Sequence, residues 1–219
     1  MRLPPSRATF VIGALTAVAW AGVALTGATE MAAVLAGFIP ERLAPGGDAM
    51  TSASYGIPIA QAVPVWLTPL SATLVHGGLL HLVFNLLMLG FCGRFVEVVL
   101  GARGLVALYL VGAYVAAAAQ FAVDPGSLAP MIGASGAISA LFGAYALLFG
   151  ERRGRLADHR FGKALHVLWL AAAWIGFQLL VGFATTQAGA AIAVAAHIGG
   201  FIAGLVLAKP LLRWRYRHA

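Results

Sequence analysis

Charged side chains are scarce in this sequence, where Asp, Glu, Lys and Arg together make up 10% of 219 residues. A soluble globular domain carries about 25% charged residues, so the composition argues against a water-soluble fold. Hydrophobic residues make up 61% of the chain and fall into several long runs. This pattern is typical of a membrane protein with several spans and little mass outside them.

Cysteine and acidic residues are also scarce. The single cysteine, Cys92, lies in an apolar run, so the chain has no intramolecular disulfide framework. Seven acidic residues against fourteen Lys and Arg leave a net charge of +7. That charge would suit a nucleic acid, but the basic residues lie in the gaps between apolar runs, as orientation signals of membrane proteins do. We therefore expect no nucleic-acid partner.

Six apolar runs of about 20 residues are each long enough to cross a bilayer core of about 30 Å. They predict an all-α bundle of six transmembrane helices that forms one membrane domain over residues 1–219. The first run is longer than the ~7–15-residue core of a signal peptide, which favours a retained helix. The predicted spans are residues 9–26, 70–92, 105–123, 131–150, 164–184 and 188–208.

Residues 27–69 form a long connection that carries five prolines. Its apolar patch at residues 31–39 is too short to span a membrane, and we expect it at the membrane interface. A loop of this length without a span is usually functional or disordered. Together with the fifth span, it is a candidate for the element that admits substrate.

The basic residues predict the orientation. An even number of spans places both termini on one side, and thirteen of the fourteen Lys and Arg residues then lie on that side. Only Arg42 falls on the other. Because basic residues concentrate on the cytoplasmic side of membrane proteins, we expect both termini in the cytoplasm and residues 27–69 outside.

Few polar residues lie inside the predicted spans, and four of them fall at a similar depth. At 1.5 Å per residue from the cytoplasmic ends, Ser135 lies about 24 Å up, His81 about 20 Å, His197 about 18 Å and Asn85 about 14 Å. His81 and Asn85 are four residues apart and so share a helix face. A polar side chain at this depth costs free energy unless it is hydrogen-bonded or takes part in a function. The four residues therefore predict one layer of functional side chains at a common depth in the membrane.

Each of these residues also has a structural interpretation. His81 and Asn85 would serve as interhelical hydrogen bonds that hold the bundle, and Ser135 would serve as a helix N-cap. His76 lies about 140° from His81 around an ideal helix. It therefore belongs to another face or to the helix entrance, where bonding to the loop is the favoured interpretation.

Small residues recur every four positions on two of the predicted spans. Such stripes let membrane helices pack backbone to backbone. If the two stripes face each other, the Ser135 hydroxyl and the His197 imidazole come within hydrogen-bond distance. The stripes consist of Gly136, Ala140 and Ala144 on the fourth span and Ala196, Gly200, Gly204 and Ala208 on the sixth.

The residue types in this layer suit acyl transfer. A serine hydroxyl is a weak nucleophile until an adjacent base removes its proton, and His197 is the only titratable residue within the sixth span. No Asp or Glu lies at this depth, so we expect a dyad and not a triad. His81, Asn85 and the backbone N–H of Ser135 are the available donors for a developing oxyanion.

Three motifs in this order resemble the rhomboid intramembrane serine proteases in their six-helix bacterial form. They are HGGLLHLVFN at 76–85, GASG at 133–136, with Gly133 and Gly136 flanking the serine, and AHIGGFIAG at 196–204. The resemblance implies that Ser135 is the nucleophile, His197 the base, and His81, Asn85 and the Ser135 N–H the oxyanion hole. The segment GRFVEVVLG at 93–101 resembles the cytoplasmic end of the family's second helix, where Glu97 is structural.

The resemblance also implies the reaction and the setting. The expected activity is cleavage of a transmembrane segment of another membrane protein near its outer end, favoured by helix-destabilising residues in that segment. The expected location is a bacterial inner membrane, with the lipid bilayer and transmembrane substrates as partners and no metal or cofactor. A water-filled cavity open to the outer side is needed for hydrolysis.

The sequence departs from the family at two positions. Where the family often has a tyrosine that stacks on the catalytic histidine, this chain has Ser139. Where the family's outer loop often carries a Trp–Arg pair, Trp66 is followed by Leu67. Two other functions stay open: a non-catalytic relative that binds membrane proteins for quality control, and a small transporter or metal carrier that uses His76, His81 and His197.

Overall fold

A computed structural model describes residues 6–149, 159–185 and 193–217. These residues form an all-helical fold, as predicted, and within them β-pairing is limited to one isolated antiparallel bridge between Phe38 and Met131. Short 3-10 turns and a π-helical turn, Leu89–Gly93, connect some of the helices. The α-helices are α1 Arg7–Thr26, α2 Thr29–Ala36, α3 Gly47–Tyr55, α4 Thr68–Ser71, α5 Leu79–Met88, α6 Arg94–Val123, α7 Ser135–Phe149, α8 His159–Thr185 and α9 Val194–Arg215.

Three helical stretches among the described residues are long and apolar enough to cross a membrane: Arg7–Thr26, Leu79–Val123 and Val194–Arg215. Leu79–Val123 has 45 residues, which is about 67 Å at 1.5 Å per residue. Gly101 breaks it with φ 73° and ψ 167°, a conformation that glycine adopts without a steric cost. The segments on either side, residues 79–100 and 102–123, each have the length of one bilayer crossing.

The centre of the bundle is built from α6, α7 and α9. Gly200 of α9 lies against the backbone carbonyl of Gly136, and Gly204 lies against that of Ala140. On the other face of α7, a Cβ added at Gly136 would lie 2.7 Å from the Cβ of Ala116 in α6. The predicted packing of the two small-residue stripes is confirmed.

One end of the bundle gathers the N-terminal end of α1 and the C-terminal end of α9. The buried Glu97 carboxylate accepts hydrogen bonds from the Ala8 N–H (3.0 Å), the Thr9 N–H (2.9 Å) and the Thr9 hydroxyl (2.7 Å). It therefore satisfies N–H groups that the first turn of α1 leaves unpaired. Arg215 donates to the carbonyl of Val98 at the same end.

The connection at residues 27–69 is folded into short elements. Its longest helices, α2 and α3, have 8 and 9 residues, which is too short to span a membrane. The Val63 N–H donates to the Leu35 carbonyl at 2.8 Å. The buried Arg42 donates to Asp48 at 2.7 Å and to the Val63 carbonyl at 3.2 Å, whereas Trp66 is exposed.

The prediction of one helix over residues 70–92 is wrong. The chain leaves helical geometry after Leu74, because the Ala72 carbonyl accepts hydrogen bonds from the N–H groups of Val75 (3.2 Å) and Gly133 (2.9 Å). Helix α5 begins only at Leu79, and the helix then continues past residue 92 until the break at Gly101. Arg94, from which the depths of His81 and Asn85 are counted above, therefore lies within this helix and not at its end.

Other span limits also shift. Residues 131–134 precede α7 as a non-helical segment, because Met131 exchanges backbone hydrogen bonds with Phe38 (3.0 and 2.8 Å) and Gly133 has φ 106°. Helix α8 is longer than the predicted 164–184, and α9 continues through Pro210 to Arg215. The predicted end of the fourth span at residue 150 and the predicted start of the sixth span at residue 188 lie outside the described residues. The count of six spans and their orientation stay predictions.

Candidate active site

Ser135 and His197 meet at the start of two neighbouring helices. The Ser135 Oγ lies 2.8 Å from the His197 Nε2. Ser135 is the first residue of α7, and His197 lies in the first turn of α9. Both side chains are buried, and they come together because the small-residue stripes of α7 and α9 allow close packing of the two helices.

The turn before α7 directs Ser135 into this position. Gly133 has φ 106°, which an L-residue with a side chain rarely adopts. A Cβ at Gly133 would also lie only 2.6 Å from the His81 Nε2. Glycine is therefore required at this position both for the turn and for the close approach of His81.

His81 presents a hydrogen-bond donor beside this turn. Its Nδ1 accepts from the Gly77 N–H at 3.4 Å, so in the neutral ring the proton belongs on Nε2. The Nε2 lies against Gly133, two residues before Ser135. This geometry suits a donor to an oxygen bound near the serine.

Asn85 is buried one turn after His81 on the same face of α5. One of its side-chain N–H groups donates to the His81 carbonyl at 2.8 Å. An amide carries two N–H donors, so the second remains for another acceptor. Its Oδ1 is buried and has no hydrogen-bond partner among the residues that the structure describes.

His76 does not lie on the helix that carries His81. It sits in the irregular segment before α5, where its Nε2 accepts from the Ala134 N–H at 3.5 Å. Its ring meets the His81 ring edge-on, with centroids 4.9 Å apart. His76 is thus bonded to the loop that precedes Ser135, and it links that loop to His81.

The structure adds a residue that the sequence analysis did not select. Trp174 of α8 is buried, and its Nε1 donates to the Ser139 Oγ at 2.6 Å. Ser139 in turn donates to the Ser135 carbonyl at 2.8 Å. A buried tryptophan N–H usually needs a partner, so a tryptophan inside an apolar span was a signal available in the sequence.

The arrangement supplies an imidazole to remove a serine proton, with neutral donors nearby. Within residues 6–149, 159–185 and 193–217, no group of three or more His, Cys, Asp or Glu side chains is placed to hold a metal ion. Glu97 belongs to the scaffold at the end of α1 and not to this cluster of contacts.

Comparison with known proteins gives one family. A family model described as the Rhomboid domain matches residues 64–214, which is more than half of the chain and includes all the residues described above as the site.

The curated relatives carry corresponding names. The chain is 39% identical over 140 residues to Rhomboid protease GlpG of Pectobacterium atrosepticum, covering 63% of this chain and 46% of the relative. It is 36% identical over 151 residues to Rhomboid protease GlpG of Serratia proteamaculans, covering 68% and 48%. It is 32% identical over 137 residues to Rhomboid-related protein 2 of Mus musculus, covering 62% and 45%. The matches span about half the length of these relatives.

Proposed function

This chain belongs to the rhomboid family and is a multi-pass membrane protein, and we propose that it is an intramembrane serine endopeptidase. Ser135 is the nucleophile and His197 the general base. The observation that carries this proposal is the distance of 2.8 Å between the Ser135 Oγ and the His197 Nε2. A buried serine and histidine in contact, with donors beside them, suit acyl transfer better than simple packing.

The first step is attack of the Ser135 Oγ on the scissile carbonyl carbon while its proton passes to the His197 Nε2. The oxygen that becomes negative accepts hydrogen bonds from the Ser135 N–H, the His81 Nε2–H and the second N–H of Asn85. His197 then gives its proton to the leaving amine. Water attacks the resulting acyl-enzyme with His197 again as base, which releases the second product and restores Ser135.

We propose a dyad because no carboxylate among the described residues bonds to the His197 Nδ1. Among the described residues, the His197 Nδ1 is buried and has no hydrogen-bond partner. The orientation of the ring must therefore come from packing of α9 against α7. His76 supports the site through the Ala134 N–H, and Gly133 and Gly136 provide the close approaches that Ser135 needs.

The substrate is proposed to be the transmembrane segment of another membrane protein, cut near its outer end. The predicted topology of six spans with both termini in the cytoplasm would put residues 27–69 and the start of α7 toward the outer face, which supports that cleavage position. Helix-destabilising residues in the substrate expose a peptide bond to the serine. The bacterial relatives named rhomboid protease support a bacterial inner membrane as the location.

The experiment is cleavage of a single-span test substrate by the purified protein in proteoliposomes. Ser135→Ala and His197→Ala should each abolish cleavage and labelling by a fluorophosphonate. Ser54→Ala is the matched control, since Ser54 lies exposed in α3 and bonds only within that helix. Cleavage that continues unchanged in Ser135→Ala refutes the protease. Substrate binding without cleavage by the unaltered chain would favour a non-catalytic binding role.

A further inference from the structure

We propose that Trp174 is a positioning residue for Ser135 and acts through Ser139. This inference rests on the proposed protease function. Two hydrogen bonds connect the three residues: the Trp174 Nε1 donates to the Ser139 Oγ at 2.6 Å, and the Ser139 Oγ donates to the Ser135 carbonyl at 2.8 Å. Trp174 lies on α8, whereas both serines lie on α7.

The direction of this hydrogen-bond chain is fixed by chemistry. An indole N–H can only donate, whereas a serine hydroxyl has one proton to give and can also accept. Because Trp174 occupies an acceptor site of the Ser139 oxygen, the single Ser139 proton is left for the Ser135 carbonyl. Ser139 is 0% exposed and Trp174 3% exposed, so water does not compete for these bonds.

The carbonyl at the end of this chain belongs to the proposed nucleophile itself. Ser135 is the first residue of α7, where a helix is least held by its own backbone hydrogen bonds. A second donor to the Ser135 carbonyl restrains the rotation of that residue. The same residue carries the hydroxyl and the N–H that must both point at the substrate, so this restraint bears on the reaction.

The Ser139 side chain and the Trp174 indole are both held by close packing. A Cβ added at Gly200 of α9 would lie 3.1 Å from the Ser139 Cβ and would clash with the Gly136 carbonyl. Helix α9 therefore passes close to position 139. The indole is fixed in turn by Phe142, with ring centroids 5.1 Å apart.

Position 139 is also where this chain departs from the family it resembles, which often has a tyrosine there. Ser139 cannot supply an aromatic ring, but together with Trp174 it supplies a buried aromatic donor and a hydroxyl next to the nucleophile. The pair thus replaces one large residue on α7 by two residues on two helices.

The test uses the full-length protein in proteoliposomes and compares Trp174→Phe, Ser139→Ala and the double variant. Trp174→Phe keeps most of the ring volume and removes the N–H, and Ser139→Ala removes the other end of the same bond. Trp169→Phe is the matched control, because Trp169 lies on α8 and is 65% exposed. The readouts are the rate constant of fluorophosphonate labelling of Ser135, kcat and KM for a single-span substrate, and the melting temperature.

We expect each single variant to lower the labelling rate constant and kcat about tenfold, as for loss of one buried hydrogen bond, with KM changed less than twofold. The double variant should be no slower than the slower single variant, because both substitutions break one chain. Trp169→Phe should match the unaltered protein. A purely structural role would lower the melting temperature without changing the labelling rate of the folded protein.

Labelling at the unaltered rate in either single variant, or losses that multiply in the double variant, would overturn this inference. If Trp174→Phe does not fold, Ser139→Ala decides alone. Failure of the protease proposal is recognised separately, by cleavage that survives in Ser135→Ala. If Ser135→Ala loses cleavage while Trp174→Phe is labelled at the unaltered rate, only the positioning role is refuted.

Discussion

Gly200 of α9 lies directly against the backbone carbonyl of Gly136 in α7. Each glycine is close in sequence to one member of the proposed dyad, Gly136 following Ser135 and Gly200 lying three residues after His197. The distance between the two helices at this point therefore sets the distance between the hydroxyl and the imidazole.

Gly200→Ala should separate the dyad. The added methyl group would meet the Gly136 carbonyl, which is backbone and cannot move aside as a flexible side chain would. Overpacking of this kind costs about 1–3 kcal/mol, and we expect both a lower melting temperature and a loss of fluorophosphonate labelling. Gly22→Ala is the control, since nothing lies within 4 Å of a Cβ there, and it should keep full activity.

Gly133→Ala should inactivate the protein for a different reason. Position 133 has φ 106°, and a Cβ there would press on the His81 ring. Gly27→Ala is a close control, because Gly27 also has a positive φ (68°) but open space around it. Both variants carry backbone strain of about 1–3 kcal/mol, and only Gly133→Ala also presses on the His81 ring, so we expect Gly133→Ala to have the lower melting temperature. Loss of cleavage only in Gly133→Ala, measured below both melting temperatures, would assign the effect to His81. Equal cleavage by both variants would contradict this.

The closeness of α7 and α9 was predictable from the sequence, because small residues every four positions leave few other ways for membrane helices to pack. The helix limits around the site were less predictable. Residues 131–134 read as part of an apolar span, but their backbone hydrogen bonds go to Phe38 and Ala72, which are distant in sequence. Hydropathy does not carry that information.

The residues around Ser135 also differ in how far the sequence predicted their positions. His81 and Asn85 are separated by one helical turn, so their common face followed from spacing alone. The spacing also placed His76 off the His81 face or at the helix entrance, but its partner, the Ala134 N–H, did not follow from the sequence because Ala134 is distant along the chain. The signal from Trp174 is weak, because a tryptophan in an apolar run also fits a lipid-facing residue until its hydrogen-bond partner is known.

Glu97→Gln should lower stability and leave the chemistry intact. The carboxylate accepts three hydrogen bonds from Ala8 and Thr9, and an amide would turn one acceptor oxygen into a donor that faces those N–H groups. Each buried donor left unpaired costs about 1–3 kcal/mol. We expect a lower melting temperature with an unchanged labelling rate for the folded fraction. Glu30→Gln, at an exposed acid of α2, should change neither. A labelling rate that falls in step with stability would show that Glu97 also acts on the site.

Removal of the proposed oxyanion donors tests the mechanism most directly. His81→Ala and Asn85→Ala each take away one neutral donor, and loss of one such donor typically costs about 10²–10³ in kcat. The effect should fall on kcat and less on KM, because the hydrogen bonds strengthen only as the oxygen becomes negative. His76→Ala serves for comparison, since His76 bonds to the Ala134 N–H and reaches the reaction only through the loop. It should reduce kcat less than either donor variant. If His76→Ala proves as damaging as His81→Ala with no loss of stability, the division between donors and supporting residues is wrong.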